Sequence, residues 1–308
     1  MKTAVIIVLC VLIVCIVGCM AALGATGYYS YKSIAETVKA PERPSDGSIV
    51  FMSANIRRKE PFIVFKKEDL GNHRWWKRAE FYLKNIAEVS PDILGVQEAQ
   101  PEQYEFLKDR LEGYESVIGY RDKKGAKSEA CPIFYNASRF TLVNGGIFWL
   151  TDTPNVMSKR EGSIQYRIAT FAKLKENATG LVIAVYNAHP DWTPLDARKE
   201  EIKVLAAHAQ ASDADKVVVL GDLNSDKNTE DGSDSLAALE AFLKDSTTFP
   251  GMSNYGITYQ GYGLFEGEWL DYIYLPESAT VLSVGKVDKI YDGVYPSDHF
   301  PIYAKVKF

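Results

Sequence analysis

The sequence predicts an α/β fold, a four-layer sandwich of two stacked mixed β-sheets with outer helices, preceded by one N-terminal transmembrane or signal segment. Ten short apolar runs read as strands, too many for one parallel sheet with regular crossover helices, while only four stretches carry helical periodicity. Several of these runs stop at an unusual polar group, which gathers strand ends of both sheets along one edge. The unbroken apolar or small stretch from Ala4 to Ala25 predicts the leading segment, since about 20 such residues suffice to cross a bilayer as a helix.

Lys2 is the one charged residue of positions 1–30, and Lys32 lies well beyond the apolar span. The positive-inside rule then favours a cytoplasmic N-terminus and an extracytoplasmic catalytic domain. Tyr28, Tyr29 and Tyr31 would sit at the headgroup level. Inside the span, Ile16-Val17-Gly18-Cys19 resembles a bacterial lipobox, yet the apolar residues after Cys19 fit cleavage there poorly. An uncleaved signal anchor is favoured and a lipoprotein anchor is the alternative; both tether the protein to a membrane. Residues 31–47, with Pro41, Pro44, Asp46 and Gly47, read as a polar linker. The chain from 48 to 308 reads as one domain, expected to be monomeric, with no second linker and no internal repeat.

Within that domain the strands are expected at Ile49 to Ala54, Ile93 to Val96, Ile133 to Tyr135, Phe140 to Phe148, Ile168 to Leu174, Leu181 to Asn187, Val217 to Leu220, Leu270 to Leu275, Ala279 to Val287 and Pro301 to Lys307. Each is short, rich in β-branched or aromatic residues and bounded by turn formers. Helices are expected at Trp75 to Val89, Pro101 to Leu111, Pro194 to Ala211 and Ser235 to Lys244, where apolar residues recur at helical spacing. Pro101 and Pro194 stand at helix starts, where a missing N–H costs nothing.

The chain has 308 residues and a net charge of −5, and without Lys2 the remainder is one charge more acidic. A mildly acidic body excludes indiscriminate nucleic-acid binding, which needs a basic surface that displaces counterions. It leaves room for a nuclease with a positive groove. Cys10, Cys15 and Cys19 lie in the apolar segment, so Cys131 is alone in the domain and no intradomain disulfide forms. Asn136-Ala-Ser138 and Asn177-Ala-Thr179 match the glycosylation sequon, a short pattern that chance supplies often.

Five apolar runs end in Ser53-Ala54-Asn55, Val96-Gln97-Glu98, Asn187-Ala188-His189-Pro190-Asp191, Gly221-Asp222-Leu223-Asn224 and Ser297-Asp298-His299. A sixth, Trp269-Leu270-Asp271-Tyr272-Ile273, places an acid inside a strand. One such residue is commonly a satisfied structural polar group or a cap. Six of matching type at sheet edges point instead to a site. Carboxylates and amides offer the hard oxygens that Mg2+ prefers, and histidine titrates near neutrality.

This set, in this order, resembles the endonuclease/exonuclease/phosphatase family, metal-dependent phosphoesterases with a DNase I-like fold, and the resemblance covers nearly all of residues 48–308. A bacterial subgroup looks similar through Pro132 to Tyr135, Phe148 to Leu150 and Arg167 to Thr170. The resemblance implies Mg2+, with Mn2+ as a substitute, held by Asn55 and Glu98. Asp298 is implied as a second metal ligand or an outer partner. It also implies Asp222 as the base for a water nucleophile and Asn224 as the group orienting that water or a phosphate oxygen. His299 would donate a proton or stabilise the transition state, with Asp271 fixing its tautomer, and His189 would donate to a nonbridging oxygen.

Around this centre, Glu129 and Arg57 are candidates for substrate binding, and Arg198 for substrate binding or for buttressing the site. Arg58, Lys59 and the cluster from His73 to Arg78 offer a positive groove, and Trp75 or Trp76 a stacking surface; a helix start with solvated charges and one buried Trp explains the same residues. The apolar stretch Pro61 to Phe65 and Pro190 depart from the family pattern. The polar loop Ser225 to Asp234 lacks the terminal Glu of an EF-hand and reads as a solvated connection. The expected function is Mg2+-dependent hydrolysis of a phosphodiester by in-line water attack, the substrate being a nucleic acid, a phospholipid headgroup or a small phosphoester. The alternative is a noncatalytic binding module on the same fold.

Overall fold

The computed structural model describes residues 13–15, 18, 33–60 and 66–308. Its strands are β1 (Val38–Lys39), β2 (Ile49–Asn55), β3 (Ile93–Gln97), β4 (Leu111–Glu112), β5 (Tyr114–Val117), β6 (Ile133–Asn136) and β7 (Phe140–Trp149), then β8 (Ile168–Glu176), β9 (Val182–Ala188), β10 (Lys216–Asp222), β11 (Lys244–Asp245), β12 (Asp271–Leu275), β13 (Thr280–Lys286) and β14 (Ile302–Lys307). Four α-helices accompany them among the described residues: α1 (Trp75–Val89), α2 (Pro101–Arg110), α3 (Leu195–Gln210) and α4 (Glu230–Glu240).

Two six-stranded sheets result, ordered β13-β14-β2-β3-β6-β5 and β11-β12-β10-β9-β8-β7. Each is antiparallel except at its centre, where β2 runs parallel to β3 and β9 parallel to β10. Parallel neighbours cannot be joined by a hairpin and need a crossover. α1 supplies it in the first sheet and α3 in the second. The sheets stack with Phe51, Ile93 and Ile133 of one against Ile183, Val185, Val218 and Leu220 of the other. Because side chains alternate along a strand, Met52, Ala54, Leu94 and Val96 face outward and pack under Trp75, Tyr82, Leu83 and Leu107 of α1 and α2. Ile202 and Leu205 of α3, with Leu236 and Leu239 of α4, join the core of the second sheet.

Contact between the sheets explains one glycine. A Cβ on Gly95 of β3 would lie 2.1 Å from Leu220 Cδ1 and 3.0 Å from Asn187 Cγ on the opposite sheet. Gly95 therefore lets the sheets close next to the edge where the polar strand ends gather.

Three expectations are corrected. α4 starts at Glu230 and ends at Glu240, so it starts and ends ahead of the expected span Ser235 to Lys244, sharing residues 235–240 with it, and absorbs half of the loop read as a solvated connection. The Thr229 side chain accepts from the Gly232 N–H at 3.1 Å, and Glu230 and Asp231 occupy the first turn, where the helix dipole favours them. Lys244 instead pairs with Leu275 in β11. β5 was not foreseen, because Glu115 and Ser116 interrupt its apolar residues. Residues 34–47 are not a free linker: β1 pairs in parallel with β4, Ile34 O accepts from Arg110 Nε at 2.8 Å, and Arg43 Nε meets Glu176 Oε1 at 3.1 Å.

Among the described residues no helix is long and apolar enough to cross a membrane, and the segment expected to be an anchor lies outside them apart from residues 13–15 and 18. Of the two sequons, Asn136 is buried with its amide on Pro41 O at 2.7 Å, whereas Asn177 is exposed.

The Gly95 contact is testable. Gly95→Ala should destabilise the protein by about 1–3 kcal/mol through overpacking, and Leu220→Ala in the same chain should recover part of that loss. Urea unfolding midpoints of the two single variants and the double variant decide it; strictly additive losses would refute the contact.

Candidate active site

Alternation along the strands aims a set of polar side chains inward at one edge of the sandwich. Asn55 ends β2, Gln97 ends β3, Asn187 lies one residue before the end of β9, Asp222 ends β10 and Asp271 begins β12. Asp222 and Asp271 are register partners across the β10–β12 pair. Gln97 Nε2 donates to Asn187 Oδ1 at 2.7 Å, and Asn187 Nδ2 donates to Val96 O and Pro132 O, both at 2.9 Å. Next to this bridge, Asn55 Nδ2 donates to Asp222 Oδ2 at 2.9 Å, joining the sheets a second time.

The turns after these strands complete the site, and they use unusual backbone. Among the described residues, six non-glycine positions have positive φ, and four of them line the same cleft: Arg57 at 52°, Glu98 at 62°, Asn224 at 50° and Tyr262 at 59°. Such conformations cost about 1–3 kcal/mol each and persist where surrounding contacts hold them. Here Glu98 Oε2 accepts from the Arg58 N–H at 2.9 Å, Asn55 Oδ1 from the Arg57 N–H at 2.8 Å, and Asp222 Oδ1 from the Asn224 N–H at 3.1 Å.

Asp222 sits between two histidines, with His189 Nε2 and His299 Nε2 each 3.5 Å from its Oδ2. His299 Nδ1 donates to Asp271 Oδ2 at 2.8 Å, which fixes the orientation of the ring. Burial works against a charge on His299, but Asp271 and then Asp222 outweigh it and hold the imidazole up at about 10. Burial and the Arg167 guanidinium press His189 down to about 4. At neutral pH the two rings around Asp222 are thus a cation and a neutral donor. Burial also raises Asp222 itself, against the pull of His299 and His189. For Glu98 burial is overcome by Arg57 and His189, and the carboxyl is held well below the usual range. Burial and the nearby Glu98 lift Glu129 to about 6.

The cleft has a volume of about 520 Å³, and Arg57, Glu98, Glu129, His189, Asp222, Asn224, Asp298 and His299 all line it. Asn55 and Asp271 stand behind them through the hydrogen bonds above. Asp298 meets Arg57 Nη1 at 3.4 Å, and Glu129 Oε2 meets Arg121 Nη1 at 2.8 Å. Arg198 does not line the cleft: its Nη1 donates to Asn224 O and Trp192 O, so it braces the Asn224 turn. Trp75 is fully buried against Tyr82 and Phe106, and neither it nor Trp76 reaches the cleft. Of the basic cluster, Arg57 and Arg58 line the cleft, Lys59 pairs with Glu102, and His73 stacks on Tyr262 at 4.0 Å.

Sequence reasoning missed part of the wall. Trp192, 61% exposed, and Phe265, 56% exposed, line the cleft with Tyr259, Tyr262, Lys66 and Arg167. Arg167 bonds Asp191 Oδ1 at 2.7 Å and His189 O at 3.3 Å. The pairing of Arg167 with Asp191 was visible only as two charges far apart in the chain.

The donor set fits a hard divalent cation. Buried Asp222 and Asp298 and half-buried Glu98 bring three carboxylates, ligands of the hard-oxygen type, to one cleft. Asp222, Asp271 and His299 also bring ligand atoms within 4.8 Å of one another, but the imidazole already serves both carboxylates. Asn55 is placed first as a bridge: its amide nitrogen holds Asp222 and, at 3.4 Å, Glu98, and its oxygen keeps one lone pair beyond the Arg57 N–H.

Comparison with known proteins places the fold. The model of the Endonuclease/Exonuclease/phosphatase family matches residues 53–299. Protein angel of Drosophila melanogaster is 26% identical over 155 residues, 49% of this chain and 44% of that protein, so the chain spans less than half of that relative. An endonuclease/exonuclease/phosphatase family protein of Bacteroides thetaiotaomicron superposes with a TM-score of 0.73 at 25% identity, covering 84% of this chain and 97% of the other. A mannosyl-6-phosphatase of the same species shares the fold at a TM-score of 0.71 and 24% identity, covering 84% of this chain and 100% of the other.

The imidazole pair gives a direct test. Asp271→Asn removes the first carboxylate that raises His299, so its pKa should fall from about 10 toward the ordinary 6.5. Stability from the protonated ring is fully present below 6.5 and is lost as pH rises through about 10; in the variant that loss should be smaller and should be complete at lower pH. Imidazole NMR titration of the metal-free protein reads the shift, and an unmoved His299 would refute the assignment.

Proposed function

We propose, for a chain that belongs to the endonuclease/exonuclease/phosphatase family, that this cleft hydrolyses a phosphodiester by in-line attack of water at phosphorus, with Mg2+ or Mn2+ as cofactor. The family is one of phosphoester hydrolases, and the chain is a phosphoric ester hydrolase. The observation that carries the finer reading is the Asp222 carboxylate held between a protonated His299 and a neutral His189. Titratable neighbours driven apart in this way divide the acid and base work of one reaction.

Glu98 is the principal candidate to hold the cation, with Asp298 and the free lone pair of Asn55 beside it. When bound, the cation offsets the charge of the phosphoryl oxygens and of the leaving alkoxide. The side chains do the rest. Asp222, raised by burial, accepts the proton of the attacking water, which Asn224 orients from the same turn. His299 faces the phosphoryl group as a cation and proton donor, its ring held by Asp271. His189 donates to a nonbridging oxygen as charge grows there. Arg57 keeps Asp298 in place and adds positive charge to the wall.

A binding module on this fold would not need the strained turns at Glu98 and Asn224 or the Asp271–His299 pair, and all are present. Arg57, Arg58 and Lys66 suit an anionic substrate in an otherwise acidic protein. The apolar run 4–25, with Lys2 before it, supports a membrane-tethered, extracytoplasmic enzyme.

The test is a panel of single-stranded and plasmid DNA, RNA, sphingomyelin, a phosphoinositide and an aryl phosphodiester, each with Mg2+, Mn2+ or EDTA. Metal-dependent cleavage of at least one is expected. His299→Ala and Asp222→Asn should each lower turnover by about 10³-fold or more, and Glu98→Gln should mainly raise the metal concentration required. EDTA-resistant turnover, or variants of His299 and Asp222 as active as the parent, would contradict the proposal.

A further inference from the structure

Arg78 is a helical arginine with no solvent exposure at all. A buried guanidinium ordinarily meets a carboxylate, yet the hydrogen bonds of Arg78 go to backbone carbonyls drawn from three segments. Its Nη1 donates to Ile56 O at 2.8 Å and to Pro296 O at 2.9 Å, its Nη2 to Arg57 O at 3.1 Å, and its Nε to His73 O at 2.6 Å. The charge lies between two rings, 5.5 Å from Trp75 and 6.0 Å from Tyr262.

Those carbonyls flank the reacting groups. Ile56 and Arg57 directly follow Asn55, and Pro296 precedes Ser297-Asp298-His299. Each segment has another tether: Gln103 Nε2 donates to Arg57 O at 2.9 Å, and Gln260 Nε2 to Ser297 O at 2.7 Å. Arg78 alone among these donors holds both. Resting on the hydrolase reading above, we propose that Arg78 is a positioning residue, whose planar fork fixes the Asn55–Arg57 strand end relative to the Asp298–His299 turn. Lysine has one compact ammonium on a flexible stem and cannot span carbonyls of three segments in fixed geometry. Misplacement of reacting groups by about 1 Å costs about 10²-fold in rate.

Arg78→Met and Arg78→Lys test it through kinetics, urea unfolding and hydrogen exchange. The folded Met variant should lose about 10²-fold in kcat with KM within about twofold of the parent, and Lys should restore only part. Exchange should rise together in residues 55–58 and 296–300 while α3, β8 and β9 keep their protection. Unchanged kcat in the folded Met variant, full rescue by Lys, or exchange rising evenly across the chain would overturn the proposal. If the Met variant does not fold, the Lys variant decides by the same criteria. If the parent protein shows no turnover, the hydrolase reading fails on its own and exchange alone judges Arg78: a paired rise supports positioning and an even rise overturns it.

Discussion

Everything at the working edge of this molecule depends on keeping the Asp222 carboxylate buried at the end of β10, where bulk water does not solvate it. An isolated ionised carboxyl there would be costly, so the fold surrounds it with donors from both sheets and from the turns. Asn55 reaches across from the other sheet, the Asn224 amide closes from its own turn, and two imidazoles flank it. The bond that lowers the cost of burying Asp222 is also the bond that closes the sandwich at this edge. Catalytic geometry and sheet packing are therefore one constraint here. Gly95 belongs to the same constraint, since any larger residue would hold the sheets apart next to Asn187.

The symmetry of construction explains why so many distant segments meet. Each sheet has one central parallel pair, and the ends of those pairs are where polar residues can enter the space between sheets without displacing core. Asn55 and Gln97 enter from one side, Asn187 and Asp222 from the other. His189 and His299 come from the segments just beyond strand ends and differ in charge because their neighbours differ: Arg167 beside one, Asp271 beside the other.

Much of this was legible in the sequence, because an apolar run that stops at a polar group carries both the strand and its end. Asn55, Glu98, His189 and Asp222 could be picked out that way, Asp271 as an acid inside a strand, and His299 from the polar group Ser297-Asp298-His299. The rest was hidden for physical reasons. An arginine on a helix looks solvated until the packing of α1 buries Arg78, and the same packing takes Trp75 out of the cleft. The aromatic wall of Tyr259, Tyr262 and Phe265 lies on irregular chain, which has no period to read. The early start of α4 turned on one cap, Thr229, that competes with polar neighbours equally suited to a loop. Arg198 was recognised as part of the site, but only its contact with the Asn224 carbonyl distinguishes a support from a substrate contact.

The measurement that bears most directly on this account follows the oxygen of the attacking water. In ¹⁸O-labelled water, single-turnover cleavage of the phosphodiester that the protein hydrolyses fastest should place one labelled oxygen on the phosphate product and none on the alcohol. Asp222→Asn should incorporate label at a rate lower by about 10³-fold. Label in the alcohol, or undiminished incorporation by the Asp222 variant, would contradict water attack at phosphorus directed by the buried carboxylate.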